Sequence, residues 1–297
     1  MNAASPATLT ARAAARSLRQ VVATTDVHSS LDRAGILVRS LRELRAAGAL
    51  IVDCGDFFEG TGYYVLGRGR AEAALLRGLY DVAAPGNHGY RHYVTDPGLR
   101  AMTVCANVKD RAGAPVWQPL TMAEVRGSAT AVTAVLGVEA FGSVLPTERH
   151  RHQAHDPASA LHALHDRYHG TVDSWIVLSH SGFSHDLLLA RACPFIDVIF
   201  AGHCHSPEHG PRAAGGAVVV KGAELAAGYS AAWPDDPRWH AETRRFADAD
   251  PGPASGDLPG DLDHALAYAT GLRAHLTQIL GPVPPGSRTA RRLGTSC

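Results

Sequence analysis

Five short stretches, each closing an apolar run, carry side chains that bind divalent metals: Asp26-x-His28, Gly55-Asp56, Gly86-Asn87-His88, His180 and Gly202-His203-x-His205. Alternate residues of a strand share a face, so Asp26 and His28 are expected to grip one ion together, and His203 and His205 likewise. Carboxylates mixed with imidazoles suit Zn, Fe, Mn or Co and leave the identity open. Two such ions, roughly 3.5–4 Å apart, need a shared anionic ligand, and the two oxygens of Asp56 fit that role. Asn87 adds a neutral oxygen, while the adjacent His88 is placed to face a substrate. An ion pair of this kind would bring the pKa of a bridging water toward neutrality. The resulting hydroxide could attack phosphorus in line while the ions offset charge on the phosphoryl oxygens.

The elements that must deliver these residues alternate along the chain. An apolar run near Val21 precedes an amphipathic helix over 31–47, with Leu31, Ile36, Leu37, Leu41 and Leu44 near one face. ALIVDCGD reads as a buried strand, AEAALLRGL as a helix, and DVAAPGNH as a strand ending in the Asn87 loop. Residues 101–137 turn hairpin-rich, with VRGSATAVTAVLG the clearest run. A helix over 157–168 leads into SWIVLSH, and one over 184–191 leads into FIDVIFAGH. In open α/β sheets ligands bind at strand ends, which is where these loops fall. GAVVVKG, GYSAAWP and RWHAETRRFAD read as successive strands of a second, antiparallel sheet. DADPGPASGDLPGD reads as a linker before an amphipathic helix, LDHALAYATGLRAHLTQIL. The expected division is a flexible segment over 1–18, a catalytic domain over 19–248, a linker over 249–260, and a helix with tail over 261–297 packing on or near that domain.

Composition narrows the partners. The 28 Lys and Arg residues balance 28 Asp and Glu, so no global field favours nucleic acid or an anionic membrane, and a small phosphorylated substrate is expected instead. Five cysteines without CxxC spacing read as reduced thiols, with Cys204 turned away from its histidine neighbours. The first twenty residues lack the apolar centre of a secretory signal and no run is long enough to cross a membrane, which gives a cytoplasmic expectation. The His-rich stretch 150–155 reads as a solvated loop, and His162, His165 and His169 as the wet face of a helix.

Each motif alone is ordinarily a turn or a satisfied strand end; their order and shared placement carry the metal reading. The set DVH, GDFFEGT, GNH, SHSG and GHCHS resembles the calcineurin-like metallophosphoesterase superfamily. VVATTDVHSSLDR, VDCGDFFEGTGYY and VLSHSG are similar to its 5′-nucleotidase branch. The likeness runs over 21–206 and weakens toward 280. It implies a sandwich of two mixed β-sheets flanked by helices, in the order α/β/β/α. It also implies one metal on Asp26, His28, Asp56 and His205, a second on Asp56, Asn87, His180 and His203, and His88 as the catalytic histidine. One departure stands out: the family usually continues GNHE or GNHD, with an acid nearby to orient the histidine, and this chain reads GNHGYRHY. Arg91, His92 or an acid from elsewhere would have to fill that place.

The expected activity is dimetal-dependent hydrolysis of a nucleoside 5′-monophosphate or related small phosphate ester. A phosphodiesterase on cyclic nucleotides is the alternative enzyme, and a metal-binding pseudoenzyme serving as an interaction module is the alternative of another class. Tyr63, Tyr64, Arg68, Arg91 and His185 are candidates for the substrate rim, since they lie in or just after the metal-bearing loops. With no room expected for a base-clamping second domain, nucleoside recognition is expected from the domain's own loops, from another subunit, or not at all, which leaves a homo-oligomer open.

Overall fold

A computed structural model describes residues 7–8, 16–206, 209–246 and 260–280. Two mixed sheets stack face to face. The five-stranded sheet runs β14 (Arg238–Arg245), β13 (Gly228–Asp235), β2 (Gln20–Thr24), β3 (Ala49–Asp53) and β4 (Val82–Ala83). The seven-stranded sheet runs β1 (Ala7–Thr8), β6 (Leu120–Val125), β7 (Ser128–Leu136), β9 (Ser174–His180), β10 (Val198–Ala201), β12 (Ala217–Lys221) and β11 (His209–Ala214). A small ribbon of β5 (Val108–Asp110) and β8 (His152–Ala154) lies apart.

Strand alternation builds the layers. Val21 and Ala23 of β2, Leu50 and Val52 of β3, Ile176 and Leu178 of β9, and Val198 and Phe200 of β10 form the core between the sheets. Their neighbours Val22 and Ile51 face outward onto Leu37, Val38 and Leu41 of the helix Ala34–Ala46 and Leu75 and Leu76 of the helix Arg70–Leu79. On the opposite side Val177, Ile199 and Val219 pack under Leu161 of the helix Pro157–Tyr168 and Leu189 of the helix Phe183–Ala192. The order of layers is therefore α/β/β/α, as the resemblance implies.

Two elements depart from the sequence reading. The three late apolar runs do not share a sheet: β12 pairs in parallel with β10 in the seven-stranded sheet, while β13 and β14 join the other sheet through an antiparallel pairing of β13 with β2. Alternation fixes which face a strand buries but not its partner, and the chain changes sheets between Lys221 and Gly228. Near the N-terminus, Ala7 and Thr8 pair in parallel with Thr121 and Met122, within the stretch read as flexible. The proposed linker over 249–260 lies outside the described residues except for Gly260, which opens the helix Gly260–Leu280. That helix docks Leu262, Ala265 and Ala269 into the outer core beside the helix Arg70–Leu79.

The parallel strands β2, β3, β4, β9 and β10 all end toward one edge of the sandwich. Every metal-reading motif follows one of those ends.

Candidate metal centre

Two groups of ligand atoms gather at that edge: Asp26, His28 and His205, and Asp56, His180 and His203, with the atoms of each group within 4.8 Å of one another. The backbone achieves this differently from the strand pincer expected. β2 stops at Thr24 and β10 at Ala201, so Asp26, His28 and His203 stand in loops rather than on strands. Their φ angles are 50°, 48° and 77°, and that of Asp56 is 55°. Left-handed conformations are costly for residues with a Cβ, by about 1–3 kcal/mol each, and persist where the surroundings over-determine them. Here the three loops are laced together. Asp26 N donates to Gly55 O, His28 N to Asp56 O, and the Asp26 carboxylate accepts from His203 N at 3.1 Å and from Thr25 Oγ1 at 2.6 Å.

Asp56 lies between the two groups. One oxygen, Oδ1, accepts the His88 amide at 2.8 Å and sits 3.2 Å from His180 Nε2. The other, Oδ2, is buried with no hydrogen-bond partner among the described residues, 3.6 Å from His28 Nε2, which is equally buried and unpaired. Buried polar atoms are ordinarily satisfied. Two facing orphans, ringed by nitrogen and oxygen donors with no thiolate among them, fit a borderline or hard divalent cation. Asn87 joins the second group through Oδ1, 3.1 Å from His180 Nε2. The seven residues read as ligands thus converge on one place.

Side chains behind them hold the imidazoles in register. His180 Nδ1 meets the Cys54 carbonyl at 2.8 Å, and His205 Nδ1 meets Glu224 Oε2 at 2.8 Å, each leaving Nε2 to point inward. Burial alone would raise the Asp56 carboxyl, yet His180 and His28 hold it well below the usual carboxylate range. Burial likewise works against charge on His180, but Asp56 lifts it to about 9. Partial burial and the facing His180 lower His203 to about 4. The His180 imidazole thus rests against the central carboxylate, where a bound cation would supply the balancing charge.

Gly86 makes the convergence sterically feasible. A Cβ there would lie 2.0 Å from Asp56 Oδ1 and 2.2 Å from Asp56 N, so the Asn87 loop can rest on Asp56 only because residue 86 lacks a side chain.

The sequence pattern that describes calcineurin-like phosphoesterases matches residues 19–207, which include all of these loops. The chain belongs to that family. A probable 5′-nucleotidase of Treponema pallidum is 28% identical over 182 residues, 57% of this phosphoesterase and 30% of the relative. The rat 5′-nucleotidase is 29% identical over 170 residues, 53% of this chain and 29% of that one. The phosphoesterase therefore spans about a third of the length of these curated relatives. Among solved structures, the fold is shared with a 5′-nucleotidase precursor from Thermus thermophilus, with TM-score 0.63, 21% identity, and 86% and 59% of the two chains covered. A calcineurin-like phosphoesterase from Bacillus subtilis aligns with TM-score 0.64 and 16% identity over 90% of this chain and all of that one.

An acid from another loop stands beside His88: Glu59 Oε2 lies 2.9 Å from His88 Nδ1. Burial opposes both charges, but the contact leaves the His88 imidazole above its ordinary pKa and the Glu59 carboxyl below its own. The sequence reading missed Glu59 and Glu224. The signal for Glu59 was the second acid of GDFFEGT, three residues after Asp56.

Of the rim candidates, Tyr64 and Arg91 stand near His88, with Tyr64 Oη 2.9 Å from His92 Nε2 and accepting from Arg91 Nη2 at 3.3 Å. His185 is exposed on the wall of a 360 Å³ cleft that also includes Ser181, next to His180. Tyr63 is corrected: it is 5% exposed and packs in the outer helical core. Arg68 is exposed at the C-cap of the short helix Gly62–Gly67, its amide bonded to Tyr64 O, and among the described residues no contact joins it to the ligand loops. The described cysteines are free thiols, and Cys204 Sγ accepts from Phe183 N while packing against the core under the helix Phe183–Ala192. His152 is no loop residue: it lies on β8, 3.0 Å from Tyr90 Oη.

Proposed function

We propose that this phosphoesterase is a dimetal-dependent phosphomonoesterase acting on a nucleoside 5′-monophosphate or a related small phosphate ester. The facing orphans His28 Nε2 and Asp56 Oδ2, each a member of one of the two three-residue groups, carry the reading. Asp26, His28, Asp56 and His205 would hold one ion, and Asp56, Asn87, His180 and His203 the other. Bound there, two divalent ions would polarise the phosphoryl oxygens and acidify a shared water. Around them the chain holds Asp56 between the groups, fixes His180 and His205 through Cys54 O and Glu224, and presents His88 toward the open side, with its side chain 23% exposed. His88 is then set to stabilise the phosphoryl oxygens or the departing oxygen.

The curated relatives named as 5′-nucleotidases support a nucleotide over other esters. The pseudoenzyme reading rested on a histidine without its acid, and the Glu59 contact removes that ground. The test is phosphate release by the Mn²⁺-loaded protein from nucleoside monophosphates, sugar phosphates and cyclic nucleotides. Turnover of monoesters, nucleotides foremost, is expected. Turnover confined to diesters would replace this proposal with a phosphodiesterase, and metal binding without turnover of any ester would contradict it.

A further inference from the structure

We infer that Glu59 is the positioning residue for His88, an acid delivered by the loop after β3 in place of one in the histidine's own loop. The inference deepens the proposal above and rests on its reading of His88.

The His88 ring has two nitrogens, and a carboxylate accepting from Nδ1–H leaves Nε2 as the atom turned outward. Glu59 Oε2 is in place to accept that bond at 2.9 Å, with the two side chains 26% and 23% exposed. The remaining restraints on His88 do not choose between ring orientations. Its amide is tied to Asp56 Oδ1, and the His28 ring meets it edge-on at a centroid separation of 5.0 Å. Asp56 thus sets the backbone, and Glu59 sets the ring.

The local packing explains why the acid comes from this loop. Gly89 has φ +64°, and a Cβ on it would sit 2.4 Å from Phe58 Cβ and 2.8 Å from Phe58 Cγ. Phe58 is fully buried and stacked on His92 at 4.4 Å, so it cannot yield. An acid directly after His88 has no room. The next residue along from the obstructing Phe58 is Glu59, held at φ 67° with its carboxylate on His88 Nδ1. A non-glycine residue in that conformation is strained and calls for a compensating role. Arg91 and His92 are not the stand-ins: both are basic, and both are engaged by Tyr64 Oη.

The test uses the full chain loaded with Mn²⁺, as wild type, Glu59→Ala, Glu59→Gln, His88→Ala and the double alanine variant, with adenosine 5′-monophosphate as substrate. Glu59→Ala is expected to lower kcat about 10–100-fold, the usual loss when an active imidazole loses its orienting partner, with KM and metal content unchanged. Glu59→Gln, whose amide oxygen still accepts Nδ1–H, should recover part of that loss. In the His88→Ala background, removing Glu59 should cost nothing more. Equal losses in both backgrounds, or full activity of Glu59→Ala beside a collapsed His88→Ala, would overturn the inference while leaving His88 in the mechanism. Full activity of His88→Ala would instead overturn the reading beneath it. Histidine ¹⁵N spectra read the same point without turnover. His88 should carry its proton on Nδ1 in wild type and lose that preference in Glu59→Ala, and an unchanged tautomer would contradict the assignment.

Discussion

Asp56 is the residue on which both ligand groups depend, because its two oxygens serve different neighbours and its backbone anchors the His28 loop. Asp56→Asn removes the charge that two cations would share, and is expected to empty at least one site by elemental analysis. His88→Ala should keep both ions, since that side chain is tied to Glu59 and not to the ligand groups. Gly86→Ala is expected to behave like Asp56→Asn although it alters no ligand, because the added methyl falls on the Asp56 carboxylate. Normal metal content in that variant would show that the two loops can separate. That these seven residues would gather in one place was legible from the order of the motifs and their shared placement after apolar runs. Their delivery was not: four of them take left-handed backbones beyond the strand ends, which hydrophobic periodicity does not encode. Glu59 was hidden for a related reason, since its partner lies 29 residues on, in a loop reached only across two strand ends.

At the scale of elements, strands and long helices could be read with small shifts of boundary. The helix expected over 157–168 is Pro157–Tyr168, started by Asp156 accepting from Ser159 N, and that over 184–191 is Phe183–Ala192. Sheet membership was harder. β12 and β13 carry the same kind of apolar alternation, and only long-range pairing sends one to β10 and the other to β2. The helix Gly260–Leu280 gives a prediction of its own. Leu262 is 1% exposed against the helix Arg70–Leu79, so Leu262→Ala should cost about 2–5 kcal/mol in urea unfolding. Because that contact lies in the outer helical layer and not at the strand ends, kcat of the folded variant should match wild type. A large fall in kcat without loss of stability would contradict this placement of the helix.

For the molecule as a whole, stability should carry the mark of a carboxyl buried beneath the edge that holds the two ligand-type groups. Asp186, with no exposed surface, accepts from Ser179 Oγ through one oxygen and has no partner for the other among the described residues; burial pushes it up to about 7 from the ordinary 3.8. A folded-state pKa raised in this way favours the folded form while the group is protonated. The contribution is complete below about pH 4 and fades as pH rises through 7. Asp186→Asn should therefore gain in thermal midpoint relative to wild type across that window and hold a constant advantage above it. A difference that does not vary with pH would mean that burial leaves the Asp186 carboxyl at its ordinary value. The central claim concerns the edge where five parallel strands end, and anomalous diffraction from crystals grown with Mn²⁺ tests it most directly. Two peaks roughly 3.5–4 Å apart, with Asp56 between them and the two histidine groups on either side, are expected. No peak there, or manganese bound only elsewhere on the surface, would contradict the account.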